Sequence, residues 1–296
     1  MFDLFVITYK SDYRLMSIFA SSIDKFCQNL PINNIHVVNN CDEQMPILNF
    51  GSFDNKVKIY HYKDIYQGGL VDGYVRQQVL KLSAHKVCTA DDIIILDAKN
   101  FFIKDVVTSD FIIDGKFHGC YSHPITEFTL PEYPIKKYAF DLFGISLETP
   151  TMSMNTPFLI KKHTLEELEI DLFKNFNLKL DSFFGNFVPA KTNEFYLMQA
   201  YIASKYNGLE NYYYFTGDFS TGLWDSTLEL INYNMNLETF FNSSYTDHKI
   251  LISSIHPRTI KLMSPDIRQQ LIDFWVKLGI STEKDARQII NDIVGK

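Results

Sequence analysis

No Gly-x-Gly-x-x-Gly occurs in this chain, and no Gly-Lys is followed by Ser or Thr; the pair Gly68-Gly69 stands alone. Close approach of a backbone to phosphates at the first strand–helix turn needs such glycines, so a dinucleotide oxidoreductase or P-loop enzyme is disfavoured. The turn that takes their place, Thr8-Tyr9-Lys10-Ser11-Asp12, offers polar side chains and an aromatic face to a base. Cysteine is scarce and scattered: Cys27, Cys41, Cys88 and Cys120 form no Cys-x-x-Cys, which argues against a zinc knuckle or a disulfide framework and for reduced thiols in the cytoplasm. Basic charge is in deficit, 28 Lys and Arg against 35 Asp and Glu for a net charge of -7, so a general nucleic-acid partner is disfavoured, although a local basic pocket for a diphosphate is compatible with it. Long apolar runs are missing too, none approaching the roughly 18 residues of a membrane span. The opening Phe2–Ile7 run carries Asp3 and leads into a polar segment, and so reads as a strand and not a signal peptide. There is no repeat, low-complexity tract or linker.

The 296 residues are 46% hydrophobic and 15% aromatic, enough to bury one large core, and a single elaborated α/β domain is favoured over two smaller ones. Strand-like and helix-like segments alternate over the first hundred residues. Strands are expected at 2–8, 35–39, 57–61 and 93–96, with helices at 13–26 and 73–87 between them, which predicts a mostly parallel sheet flanked by helices. Beyond residue 100 the alternation loosens. Strands are expected at 117–122 and 157–161 and a helix at 193–205, while Pro131, Pro134, Pro150 and Pro157 suggest ordered loops between them. Residues 212–224 form an aromatic segment with two glycines. The tail reads as two helices, 265–278 and 283–294, the second capped by Thr282.

The most informative stretch is Tyr74 to Leu82 followed by Asp92 to Asn100. Ile93, Ile94, Ile95 and Leu96 form an unbroken apolar run, as in a central parallel strand covered on both faces. Ligands of open α/β sheets sit outside the carboxyl ends of such strands, where Asp97, Lys99 and Asn100 fall. On the preceding helix Tyr74, Gln77, Gln78 and Lys81 share one face and Val75, Val79 and Leu82 another. The plain reading of Arg76, Gln77, Gln78 and Lys81 is a solvated surface; the alternative is that they lean toward Asp97.

These residues resemble glycosyltransferases of the GT-A fold, in which a βαβ start is followed by a donor-contacting helix and then an Asp-x-Asp motif after a buried strand. The likeness rests on residues 2–12, on Arg76-Gln77-Gln78 and on Leu96-Asp97-Ala98-Lys99-Asn100, and more weakly on Thr156-Pro157-Phe158, Glu194 and His256. It is similar in particular to a poorly characterised group of microbial and viral glycosyltransferase-like proteins with an Arg-Gln-Gln helix and a Leu-Asp-x-(Asp or Lys)-Asn strand end. The resemblance implies a GT-A-like, Rossmann-like domain over 1–296: a nucleotide-sugar-binding half at 1–105, an acceptor-binding half at 106–262, and C-terminal helices at 263–296. It implies a nucleotide-sugar donor and a glycan or lipid-linked acceptor, in polysaccharide biosynthesis. Thr8, Tyr9 and Asp12 fall near the nucleoside, Arg76, Gln77 and Lys81 around the sugar or phosphates, and Asp97 near the ribose or a cation, with Asn100, His256 and Arg258 completing the donor site.

Lys99 departs from the motif. Two carboxylates usually hold Mn²⁺ or Mg²⁺ against the diphosphate, and a protonated lysine has no lone pair for a metal. Either Lys99 itself supplies the charge that stabilises the leaving diphosphate, without metal, or Asp97, Asn100 and His256 bind the cation with Lys99 turned elsewhere; the plain reading is that Lys99 only pairs with an acid. An inverting transfer needs a carboxylate base, for which Glu194, Asp218 and Asp225 are candidates; Glu194 at a helix start also interacts favourably with the helix N-terminus alone. Two other functions compete. A nucleotidyltransferase is disfavoured by the missing glycine-rich loop, and a non-catalytic carbohydrate-binding or scaffold protein derived from a transferase is supported by the loss of the second Asp.

Overall fold

A computed structural model describes residues 1–69, 72–122, 133–184, 192–215, 217–225, 227, 228, 231, 236–242 and 249–295. In chain order the first third runs β1 (Phe2–Thr8), α1 (Met16–Phe26), β2 (Ile32–Asn39), β3 (Val57–His61), α2 (Tyr62–Ile65), α3 (Gly73–Leu82) and β4 (Asp92–Asp97). The middle adds β5 (Asn100–Phe102), β6 (Ile112–Ile113), β7 (Lys116–Gly119), β8 (Tyr121–Ser122), α4 (Tyr133–Leu142), β9 (Thr151–Met152), β10 (Phe158–Lys161) and α5 (Lys162–Phe176). Then come α6 (Glu194–Lys205), β11 (Tyr213–Phe215), β12 (Ser220–Leu223), α7 (Leu237–Asn242), β13 (Ile252–Ile255), α8 (Pro257–Leu262), α9 (Pro265–Lys277) and α10 (Glu283–Val294).

The central sheet has the order β10-β4-β1-β2-β3. β1 to β4 are mutually parallel, and β10 joins β4 antiparallel, Phe158 opposite Ile95 and Lys161 opposite Asp92. The expected α/β class, a mostly parallel sheet flanked by helices with helices closing the C-terminus, is therefore present. β1 is buried at every position, and Ile93 to Leu96 of β4 are fully enclosed. Each such side chain is worth roughly 1.5–3 kcal/mol relative to exposure. That burial lets β4 end on a carboxylate inside the protein.

The chain advances from β1 to β2 to β3 on one side and then returns to lay β4 on the other side of β1. This reversal makes a topological switch point at the carboxyl ends of β1 and β4, where a crevice opens. α3 starts there because Asp72 caps it, its carboxylate accepting from the backbone N–H groups of Tyr74 (2.7 Å) and Val75 (3.1 Å). Thr282 caps α10 as expected, and Asn193 caps α6. Two three-stranded sheets, β11-β7-β6 and β12-β13-β5, and the two-stranded β8-β9 carry the second half; β13 runs antiparallel to β5, so the far end of the chain pairs with the residues just past β4.

Several expected boundaries move. The first helix begins at Met16 and not Tyr13, because a 3-10 turn at Lys10–Asp12 comes first. The third ends at Leu82, and Ala84–Lys86 is a separate 3-10 turn. The strand expected over 117–122 breaks at Cys120 into β7 and β8, which belong to different sheets. Pro134 lies not in a loop but in the first turn of α4, where a missing N–H costs nothing. α5 was not expected, although Leu165, Leu168 and Leu172 recur at helical spacing on its buried side. Pro131, and Thr216 of the aromatic segment, lie outside the described residues.

The opposite end of the sheet is tied by Asp3. Its carboxylate accepts from the backbone N–H groups of Asn34 (3.0 Å) and Ala90 (2.9 Å) and from the Asn33 amide (2.9 Å), and lies 3.3 Å from His36 Nε2. Burial alone would raise its pKa, but His36 and the Ala90, Thr89 and Asn33 donors outweigh it and hold the acid well below the usual carboxylate range. A depressed folded pKa adds stability that is present above the unfolded value and lost as pH falls through the folded one. Asp3→Asn is therefore expected to cost about 2–3 kcal/mol in denaturant unfolding at neutral pH, the deficit narrowing below about pH 4; a pH-independent deficit would show that the charge is not what holds these segments.

Candidate functional site

A cavity of about 830 Å³ occupies the switch point, with Tyr9, Ser11 and Asp12 after β1, Asn40 after β2, one side of α3, Asp97 and Lys99 at the end of β4, and the start of α6 around it. Residues 154–156, Trp224 and His256 complete the wall.

At its floor Asp97 is saturated. One oxygen accepts from Gln77 Nε2 at 3.0 Å and meets Lys81 Nζ at 3.2 Å; the other accepts from Thr156 Oγ1 at 3.0 Å and meets Lys99 Nζ at 3.3 Å. Burial pushes the acid's pKa up, yet Lys81 and Lys99 together hold it well below the usual range. Lys81, only 2% exposed, reaches across to Glu194 Oε1 at 3.0 Å. Burial would lower the Lys81 pKa, but Asp97 and Glu194 raise it, so the ammonium keeps its charge. The result is an alternating row, Glu194, Lys81, Asp97, Lys99, drawn from α6, α3, β4 and the turn after β4. The solvated-surface reading of α3 is thereby overturned: Arg76, Gln78 and Lys81 are buried, because the helix packs against β1 and α6.

Tyr9, Asp12, Gln77, Lys81, Asp97, Lys99, Glu194 and His256 all line this one cavity. Other expected site residues do not line it. Arg76 lies behind the wall, its Nε donating to Asn40 Oδ1 at 2.6 Å, an Nη to the Asn40 carbonyl at 2.8 Å, and its plane 3.7 Å over the Tyr62 ring. It positions Asn40. Thr8 is buried at the end of β1, and Asn100 is consumed by the fold, its Oδ1 accepting from the Asp97 N–H at 2.7 Å and its Nδ2 donating to the Thr156 carbonyl. Arg258 points outward to pair with Asp225 at 2.8 Å, and Asp225 also accepts from Thr259 Oγ1. Asp218 lines a neighbouring smaller cavity instead.

The ligand set Asp97, Asn100 and His256 does not fit a divalent ion. Asp97 has no oxygen free of partners, and Asn100 Oδ1 is taken by a backbone N–H. His256 Nδ1 accepts the Arg258 N–H that it caps, so neutral His256 carries its proton on Nε2, the nitrogen left over, and presents a donor where a metal needs a lone pair. Burial, followed by Lys99, lowers the His256 pKa and keeps the ring neutral. Among the described residues the one His, Cys, Asp and Glu grouping at ligand-like spacing is Asp3, His36 and Cys88, at the other end of the sheet, and Asp3 is already spent on backbone donors.

Asn40, Asn155 and Trp224 were missed as wall residues, and Thr156 entered only through the weak likeness at 156–158. Asn40 had a readable signal, since it follows the buried β2 run as Asp97 follows the Ile93–Leu96 run. Trp224 had only its place in an aromatic segment.

Asp12 is the acid most easily moved. Burial, the largest cause, raises its pKa to about 6; Lys99 and Ser11 lower it and Asp97 raises it further. A carboxyl with a raised folded pKa penalises the fold as it ionises, from the unfolded value of about 3.9 upward, and fully above 6. Asp12→Asn should therefore melt above wild type at about pH 7.5, the two curves converging below about pH 4; equal melting at both pH values would put this charge in solvent.

No protein-family model matches the chain, and no curated protein matches it. Among solved structures it is similar to galactosyltransferase LgtC in complex with donor and acceptor sugar analogues, with a TM-score of 0.49 and 10% identity over 98% of this chain and 95% of that one. It is also similar to an active-site mutant of LgtC, with a TM-score of 0.46 and 11% identity over 94% of this chain and 95% of that one. Among the described residues no helix is long and apolar enough to cross a membrane.

Proposed function

We propose that this chain is a glycosyltransferase of GT-A type that takes a sugar from a nucleoside-diphosphate donor and passes it to a glycan or lipid-linked acceptor, with Lys99 in the place of a metal ion. The observation that carries the reading is the seat of Lys99: its ammonium stands 3.3 Å from Asp97 and lines the switch-point cavity, and Lys81 is already balanced between two acids. Carboxylates outnumber ammonium groups on this wall, with Asp12, Asp72, Asp97 and Glu194 against Lys81 and Lys99. A diphosphate is therefore not drawn in by a broad positive field. It is received at Lys99 and by neutral donors such as Gln77 and His256 Nε2.

In the transfer, the acceptor hydroxyl oxygen forms a bond to the anomeric carbon while the bond from that carbon to the diphosphate oxygen breaks, the electron pair leaving with the diphosphate. Lys99 stabilises the charge that develops there. For an inverting reaction the hydroxyl proton goes to a carboxylate. Glu194 is bound to Lys81 and Asp225 to Arg258, whereas Asp218 has no Lys or Arg partner among the described residues, and its pKa is raised by burial more than Cys120 and His118 lower it. Asp218 is the better base.

A second reading, carbohydrate binding without turnover, is favoured by the same closed charge row, which leaves no uncompensated carboxylate on the cavity floor.

Two measurements separate these readings. Uridine or guanosine diphosphate should raise the melting temperature, because a ligand bound only by the native state stabilises it by mass action; no shift with any nucleoside diphosphate, with or without Mn²⁺, would leave the binding-only reading. Turnover should survive a chelator and fall about 10²- to 10³-fold in Lys99→Ala, a few kcal/mol of leaving-group stabilisation. Lys99→Asp should fail without metal and regain rate with Mn²⁺. Wild-type turnover that vanishes in chelator and returns with Mn²⁺ would overturn the lysine assignment.

A further inference from the structure

Beside the main cavity lies a second one of about 240 Å³, and Asn155, Thr156 and Trp224 wall both. The partition is tied to the cavity floor, since Thr156 Oγ1 donates to Asp97 at 3.0 Å and Lys99 Nζ sits 5.0 Å from the centre of the Trp224 ring. On the far side the lining is rich in hydroxyls from β12, β13 and the segment after β9, among them Ser220, Thr221 and Ser254, with the Asp218 carboxyl. Among the described residues, the side chains of Asn155, Ser220, Thr221 and Ser254 make no hydrogen bond within the protein. Ser254 is buried, Ser220 and Thr221 are half-buried and Asn155 is exposed, so these groups are free to exchange water for the hydroxyls of a ligand that enters the cavity. β12 is also shaped for the indole: a Cβ on Gly222 would lie 2.7 Å from Trp224 Nε1 and 2.8 Å from Ser254 Oγ, so only glycine lets Trp224 come this close to the strand.

We propose that this annexe is a pyranose-binding subsite for the acceptor, in which sugar hydroxyls pair with Asn155, Thr221, Ser254 and Asp218 while an apolar C–H face of the ring lies on Trp224. Unpaired hydroxyls, an amide and a carboxylate beside one aromatic wall suit a polyol; an alkyl chain would strand these groups without partners. The acceptor is thus recognised through a sugar unit, whatever that unit is attached to. The inference rests on the transferase reading for the word acceptor, but the binding of a pyranose does not.

Trp224 reports on it directly. Of the two tryptophans Trp275 is wholly buried, so a ligand-dependent change in emission that Trp224→Phe abolishes comes from Trp224, and variants of residues that line only the annexe assign it to that side of the partition. Methyl pyranosides of glucose, galactose and mannose are titrated into the full chain, with and without uridine diphosphate. At least one is expected to change the emission saturably, and Thr221→Val and Ser254→Ala are each expected to weaken it about tenfold while leaving the nucleotide-induced melting shift unchanged. Both variants are close in size to the residues they replace. If no pyranoside perturbs Trp224 with or without nucleotide, or if both variants bind it as wild type does, the subsite is refuted. If the variants weaken the nucleotide shift instead, the annexe belongs to the donor and the proposal is equally refuted. A pyranoside response that persists where no nucleoside diphosphate binds would uphold the sugar site and remove the transferase reading alone.

Discussion

The row Glu194, Lys81, Asp97, Lys99 is the constraint around which the rest of this structure is arranged. Taking a single ion out of water costs several kcal/mol, and removing one partner from a buried pair costs about 3–5 kcal/mol because the other charge is stranded. Each member therefore dictates the position of the element that carries it. Lys81 fixes the azimuth of α3, Glu194 the start of α6, and Asp97 the end of β4. The Phe195 ring, 4.7 Å from Lys81 Nζ, covers the ammonium from α6. Neutral donors complete the shell: Gln77 and Thr156 fill the positions on Asp97 that the lysines leave.

A pair of carboxylates at this place would repel one another until a cation arrived, and the empty site would be poorly ordered. Here the compensating charges are covalently part of the chain, so the floor is organised before any ligand binds. The organisation is also asymmetric. Lys81 is held from two sides by acids and enclosed, whereas Lys99 has one close acid, an aromatic ring and a side chain 16% exposed toward the cavity. Of the two ammonium groups it alone can exchange its partner for an incoming anion while Asp97 keeps three of its four contacts.

The parts of the fold that were legible are those governed by local pattern. The continuous apolar run of β4, the alternation of strands and helices to residue 97, and the cap at Thr282 all follow from residues close in sequence. The importance of the strand end was legible too, since buried apolar residues giving way abruptly to Asp97 is a local event. What sequence could not supply is the partner of each polar residue. Lys81 and Arg76 lie five positions apart on one helix with similar chemistry. One enters the cavity and the other turns behind it to Asn40, a difference decided by where β2 and α6 arrive. Asn100 looked like a ligand and is instead the first residue of β5, its side chain closing on the Asp97 N–H. The Arg258–Asp225 pair and the annexe depend on contacts between segments more than thirty residues apart, for which no periodicity speaks.

The antiparallel pairing of β5 with β13 sets Asn100 against Ser254 and Phe102 against Ile252. Two of the cavity's walls are thus neighbours in space and strangers along the chain. Closing so long a loop is paid for in chain entropy before its contacts form, which makes such pairings late events in folding. During synthesis the first hundred residues can build most of the parallel sheet and expose Asp97 and Lys99 at its edge. The cavity gains Trp224 and His256 only when the last quarter of the chain has emerged and docked. A truncated or stalled chain would therefore display the charged floor without its walls, open to water, and any chemistry that needs a dry pocket would be silent until the chain was complete.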